Sequence, residues 1–272
     1  MLRRTFLASA VSAAAAPGDT PRVDYHAHPE SGMTVEKALE ISRKRGVKLG
    51  LVEHAGVKES PVSHRLSTDD ELKAWVKKLA GKPVYCGIQA EGMDWHRHFS
   101  KSVIAQLDYV LGDALTMPYG GKPVKLWTAE FSTNNPQDFM DRYVEYHVEV
   151  MANQPLDILA NPTFLPSVLQ PDAARLWTEK RMRRIIEAAK KYHMAIEINT
   201  KYHVPSMAFL QIAKSEGLQF SFGSNAHDAD AIGDITWCLE VWKKLALPAS
   251  RFFRPVKVAA GLQAGRSSAW EG

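Results

Sequence analysis

The chain lacks the features that would assign it to a special class. It has 2 cysteines in 272 residues, too few for a disulfide scaffold. No apolar run reaches the roughly 18 residues that a spanning helix needs, which excludes a polytopic membrane protein. Repeats, linkers and low-complexity tracts are missing after Pro17, so collagen-like and disordered architectures are excluded. Charge of one sign is scarce too. The formal net charge is +4, and Arg3 and Arg4 supply two of those positive charges. So small an excess does not make a nucleic-acid-binding surface. What is present is ordinary globular composition, 45% apolar and 24% charged, over a length that fits one large domain.

The first seventeen residues, MLRRTFLASAVSAAAAP, join a basic start, an apolar stretch from Thr5 and small residues before a proline. Those are the parts of a secretory signal. Arg3-Arg4-Thr5-Phe6-Leu7 is also similar to a twin-arginine signal. The expectation is a removable signal over residues 1–17 and a single domain over residues 18–272, exported to the periplasm or beyond the cell, with no stable membrane anchor. Cys86, in an apolar strand-like run, and Cys238, in a C-terminal helix, are expected as buried free thiols.

Short apolar runs alternate with longer helical patterns. Strands are expected over 23–26, 49–53, 84–89, 109–111, 158–160, 195–198 and 219–223. Helices are expected over 34–44, 69–79, 102–107, 136–151, 173–192, 205–216 and 229–245. Thr34 and Ser67-Thr68 place hydroxyls before acids at helix starts, and Gly46, Gly81 and Gly217 stand where helices stop. Seven such alternations predict an α/β fold, a single barrel of parallel strands. The longest irregular stretch, Gly112 to Asn135, has the length of a lid, a binding loop or a disordered segment. Weak periodicity marks a tail from Phe252.

In such barrels the reactive groups gather at the C-terminal ends of the strands. Strand one ends Asp24-Tyr25-His26-Ala27-His28. Histidines at i and i+2 of an extended chain point the same way, so both imidazoles can hold one metal ion. Strand two ends in Glu53-His54 and strand three in Gln89-Ala90-Glu91. Strand five runs into Asn161, strand six ends in Glu197-Ile198-Asn199, and strand seven in Asn225-Ala226-His227-Asp228. A rim of mixed polar residues would not carry this excess of histidine.

Asp24-x-His26-x-His28, Glu53-His54-Ala55, Gly87-Ile88-Gln89, Asp108 to Gly112, Asp157 to Pro162, Glu197-Ile198-Asn199 and Gly223 to His227 follow in one order along the chain. In that order and over residues 22–245 the chain resembles the PHP family, named for polymerase and histidinol phosphatase. The resemblance implies a distorted seven-stranded (β/α)7 TIM-like barrel, a metal site and phosphoester hydrolysis. Against the family pattern, Gln89 replaces a glutamate, with Glu91 two residues on. Leu115 and Asn161 replace histidines, Asn225 replaces an aspartate, and a third early histidine beyond His28 is missing. An amide oxygen is a weaker donor than a carboxylate. The family's three metal ions are therefore expected to shrink to one or two divalent ions (Zn, Mn or Fe), or to none.

The expected metal ligands are His26, His28, His54, Glu91 and His227, with Glu91 alternatively a general base and His54 a proton shuttle. Asn161, Asn199 and Asn225 are expected to bind substrate or orient imidazoles, and Lys201, Lys122 or Lys125 to contact an anion. His147 and His193 read as packing or helix-end residues, His64 as a loop residue, and His203 as undecided. His96 and His98 follow strand three at the same rim and are candidate replacements for lost ligands. The tryptophans, Trp95 and Trp127 aside, read as core. The expected partner is a small-molecule substrate, in the first reading a phosphorylated one, and no nucleic acid. An amidohydrolase-type metalloenzyme and a barrel that binds a ligand without turnover are the competing readings.

Overall fold

The computed structural model describes residues 20–30, 32–56 and 66–255. The expected signal over 1–17, His64 and the tail beyond residue 255 lie outside the described residues.

Nine strands are described: β1 (Val23–Ala27), β2 (Lys48–Gly56), β3 (Tyr85–Glu91), β4 (Tyr109–Gly112), β5 (Thr116–Tyr119), β6 (Lys122–Lys125), β7 (Ile158–Leu159), β8 (Ala195–Asn199) and β9 (Phe220–Gly223). Between them run α1 (Val35–Arg45), α2 (Asp69–Leu79), α3 (Lys101–Ile104), α4 (Pro136–Asn153), α5 (Ala173–Leu176), α6 (Glu179–Lys191), α7 (Met207–Ser215) and α8 (Thr236–Lys244). Seven strands pair in parallel in the order β1-β2-β3-β4-β7-β8-β9. The seam between the ends is laced by His28 N–H to the Ala226 carbonyl at 2.9 Å and Ala226 N–H to the His26 carbonyl at 3.3 Å. The result is a nearly closed (β/α)7 barrel with helices between the strands, the fold class expected.

Strand alternation sorts the barrel interior into layers. Tyr109 fills the lower layer, where a Cβ at Gly87 would collide with its ring. Asp24, in the same layer, accepts from His26 N–H, Ser224 N–H and hydroxyl, and Gly233 N–H at 2.6–3.0 Å, tying β1 to the segment after β9. Above them His26 bonds to Gln89 and Glu197, and toward the C-terminal rim His54 bonds to Glu91 and stacks on His28.

The departures from expectation have local causes. The single helix expected over 173–192 is two, because the Trp177 indole donates to the Thr163 carbonyl at 2.9 Å and Thr178 caps α6 through Arg181 N–H. The last helix starts at Thr236, not at residue 229, since Asp228 caps a turn at Asp230 and Ala231, and Gly233 has φ +73°. α3 stops at Ile104, and α7 starts at Met207 behind its Ser206 cap. The stretch expected to be irregular, 112–135, holds the antiparallel hairpin β5–β6. Cys86 and Cys238 are buried free thiols, as expected.

Candidate metal centre

His28, Glu30, His54 and His227 bring one donor atom each to within 4.8 Å of one another at the rim. His28 closes β1's extended run, Glu30 follows it, His54 lies near the end of β2, and His227 follows the seam. The His28 ring is stacked between His54, 4.5 Å away at 16°, and His227, 4.4 Å away at 9°. Burial pushes the His28 pKa well below the ordinary value, aided by the neighbouring imidazoles, so the ring is neutral. Neither of its nitrogens has a hydrogen-bond partner. A buried imidazole in that state offers a lone pair to a cation, and three imidazoles with one carboxylate are a donor set that suits Zn, Mn or Fe. The residues present therefore fit one divalent ion.

The flanking groups aim these donors. His54 Nδ1–H donates to Glu91 at 2.7 Å, leaving Nε2 to face Glu30 at 3.5 Å. A ligand histidine held by a carboxylate behind it has its tautomer and orientation set. His227 Nδ1 lies 2.9 Å from the Glu30 carboxylate and its Nε2 3.2 Å from the Asn225 side-chain oxygen, so a neutral ring donates to only one of them and frees its other nitrogen for a cation by giving up the second contact.

His26, expected as a ligand, is placed differently. Its Nδ1 lies 2.6 Å from Glu197 and its Nε2 2.9 Å from the Gln89 carbonyl oxygen. Burial presses its pKa down, but the Glu197 charge and these two acceptors outweigh it and raise the pKa above the ordinary value. A ring donating from both nitrogens keeps no lone pair for metal. A Cβ at Gly223 would collide with the Glu197 carboxylate, so glycine makes room for the pair.

Amides complete the floor. Asn161 donates to Asp113 at 2.8 Å and accepts from Asn199 at 3.0 Å and Asn225 at 3.2 Å. Glu197 accepts from Asn161 N–H at 2.7 Å and from the Asn199 amide at 3.1 Å. Asn161 and Asn225 have φ +48° and +49°, a left-handed backbone that asparagine tolerates better than most residues. Asn199 is fully enclosed, so it acts on a substrate only through its neighbours. Asn161, Asn225 and Lys201 line a cavity of about 330 Å³ over the cluster. Asp113 lines it as well, its pKa pushed up to about 6 by burial and by the Glu91 charge. Leu115 lines the pocket where the resemblance implies a histidine.

The other histidines stand apart. His147 is buried and bonded to the Tyr143 carbonyl at 2.8 Å, with burial pushing its pKa down to about 4. His193 ends α6 with φ +56°, and His203 stacks on Trp237 at 5.1 Å. Among the described residues His96 and His98 do not join the donor group. Glu30 and Asp113 were not singled out as site residues by the motifs. Asp113 continues a parity already in view, after 109 and 111, whereas Glu30 lies beyond the end of β1 at Ala27.

Fold and site together define a parallel α/β barrel with a candidate metal centre at its C-terminal rim. Among solved structures the chain is similar to the histidinol phosphate phosphatase of Lactococcus lactis subsp. lactis Il1403, determined with zinc, L-histidinol and phosphate. The TM-score is 0.59 and the identity 17%, over 83% of this chain and 94% of that one. That likeness carries the fold, in keeping with the PHP-like motifs. No family model and no curated protein matches the chain.

Proposed function

We propose that the chain is an exported metal-dependent hydrolase of small phosphoesters, using one divalent cation held by His28, Glu30, His54 and His227. The observation that carries this reading is the buried, neutral His28 ring with two unbonded nitrogens inside a set of four convergent donors. What a divalent cation supplies there is positive charge beside a phosphoryl oxygen and a lowered pKa for a water molecule. Glu91 holds His54 in its ligand tautomer and, lining the same pocket, accepts the proton of the attacking water. Lys201, exposed at the pocket wall, balances the phosphate charge. Asn161 and Asn225 keep the rim rigid through their shared hydrogen bond. The reading takes one ion rather than two, since His26, Gln89, Glu197 and Asn161 bond to one another in this arrangement.

The test is metal content per chain in protein purified without chelating tags, followed by a screen of phosphomonoesters. About one equivalent of a first-row metal, lost in His28→Ala together with turnover, supports the reading. No uptake of added Zn²⁺ or Mn²⁺ overturns it in favour of a barrel that binds a ligand without turnover, a reading the amides Gln89, Asn161 and Asn225 would then explain. Export is tested by fusing residues 1–17 to a reporter, whose export Arg3→Lys with Arg4→Lys should abolish.

A further inference from the structure

Asn199, Asn161 and Asn225 are joined in a chain of hydrogen bonds that has a direction. It starts at the backbone N–H of Tyr202, which donates to the Asn199 side-chain oxygen at 3.0 Å. A backbone N–H can only donate, so the Asn199 amide turns its nitrogen the other way. That nitrogen donates to Glu197 at 3.1 Å and to the Asn161 side-chain oxygen at 3.0 Å. Asn161 is held from its other end as well, because its nitrogen donates to the Asp113 carboxylate at 2.8 Å. With its oxygen so placed, Asn161 also accepts from the Asn225 nitrogen at 3.2 Å. Asn225 is left to show its oxygen to His227 Nε2, 3.2 Å away. All three amides are buried, and reversing one would set donor against donor in the interior.

We propose that this chain of amides is a positioning device for His227: it keeps the ring proton on Nε2 and leaves Nδ1 as the nitrogen that meets the cation. The inference rests on the one-cation reading of the same site. An acceptor fixed at one ring nitrogen favours the tautomer that carries its proton there. Nδ1 then faces one oxygen of Glu30 at 2.9 Å, while the other oxygen of that carboxylate lies 3.5 Å from His54 Nε2. Two nitrogens without protons and one carboxylate repel one another at such distances, and a cation bound by all three removes the repulsion. Asn225 stands where the resemblance implies an aspartate. A carboxylate offers an oxygen whichever way it turns, whereas an amide does so only when its nitrogen is engaged elsewhere. Asn161 supplies that engagement, so Asn225 orients the ring without adding charge beside the cation.

Nuclear magnetic resonance of the zinc-loaded full chain, carrying isotope-labelled histidine, tells a protonated Nδ1 from a protonated Nε2 by long-range proton–nitrogen correlations. The His227 ring should carry its proton on Nε2 and its metal on Nδ1. The reverse assignment overturns the proposal and leaves the metal centre standing. Zinc affinity, from competition with a coloured chelator, tests the amides. Asn225→Gly and Asn161→Gly suit the left-handed backbone at both positions, and each should weaken zinc binding roughly tenfold or more. Asn225→Asp should keep Nδ1 ligation. Asn161→Gly made together with Asn225→Asp should then cost little, since a carboxylate needs no partner to set its direction. An equal loss from Asn161→Gly with and without Asn225→Asp would show that Asn161 acts by some other route, and overturns the relay. Failure of the parent to take up zinc overturns the one-cation reading and the relay with it.

Discussion

The imidazole of His28 lies 4.4 Å from that of His227 with the ring planes 9° apart, and neither His28 nitrogen bonds to the protein. Leaving a buried polar group unpaired costs about 1–3 kcal/mol, which a bound cation would recover. A chelator should therefore destabilise the protein as well as silence it. If metal is present at about 100 times its Kd, its loss removes about 2.7 kcal/mol. For a domain of this size that is a drop in Tm of roughly 5–10 °C. His28→Ala should start from the lower Tm and show no further fall with chelator. A parent Tm that chelator leaves unchanged would mean that His28 waits for no ion.

Glu91 reaches His54 from behind at 2.7 Å. Glu91→Gln keeps the size of the side chain but loses the charge that orients the ring and favours one tautomer. Metal affinity should fall about 10- to 100-fold with little change in the apo-protein's stability. Competition with a coloured chelator measures it. Unchanged affinity would reduce Glu91 to packing.

The order of strands was legible because each carries a short apolar run bounded by turn residues, and the barrel follows from their count. His28, His54 and His227 were legible too, since histidines at the ends of parallel strands converge whatever the loops do. Glu30 was not, because it lies past the last paired residue of β1, where strand parity no longer guarantees direction. Nor could spacing tell His26 from His28. Both point inward, and what separates them is depth: His26 meets Glu197 and Gln89 from strands far away in sequence, whereas His28 stands one layer higher among imidazoles. The hairpin β5–β6 stayed hidden because its four-residue strands carry prolines at Pro118 and Pro123 and little apolar alternation.

His26 gives the sharpest separation of roles. If it is an internal ion-pair partner, His26→Ala strands the Glu197 carboxylate in the core and should cost about 3–5 kcal/mol in a urea melt. His26→Ala combined with Glu197→Gln should recover much of that loss. Metal content should stay near one equivalent in whichever variant folds. Loss of the ion from the folded double variant would instead make His26 a ligand.

Asp113 predicts a pH dependence of stability that no metal is needed to see. Its carboxyl is pushed up to about 6 from an ordinary 3.8, by burial first and by the Glu91 charge second. Between those two values the folded chain holds a proton that the unfolded chain has released, so this group makes stability fall as pH rises from about 4 to about 6, with no further change above. Asp113→Asn removes the ionisable group and keeps one oxygen, enough to accept from the Asn161 and Gln89 amides that meet Oδ2, while the bond from Leu115 N–H to Oδ1 is given up. The variant should gain on the parent by on the order of 1–2 kcal/mol at pH 7.5, discounted for the water that reaches the pocket, and by nothing at pH 4. Urea melts of both proteins in chelator at the two pH values decide it. A difference of the same size at both would show that the carboxylate is not held under strain, and that Asn161 and Leu115 bond it well enough to offset its burial.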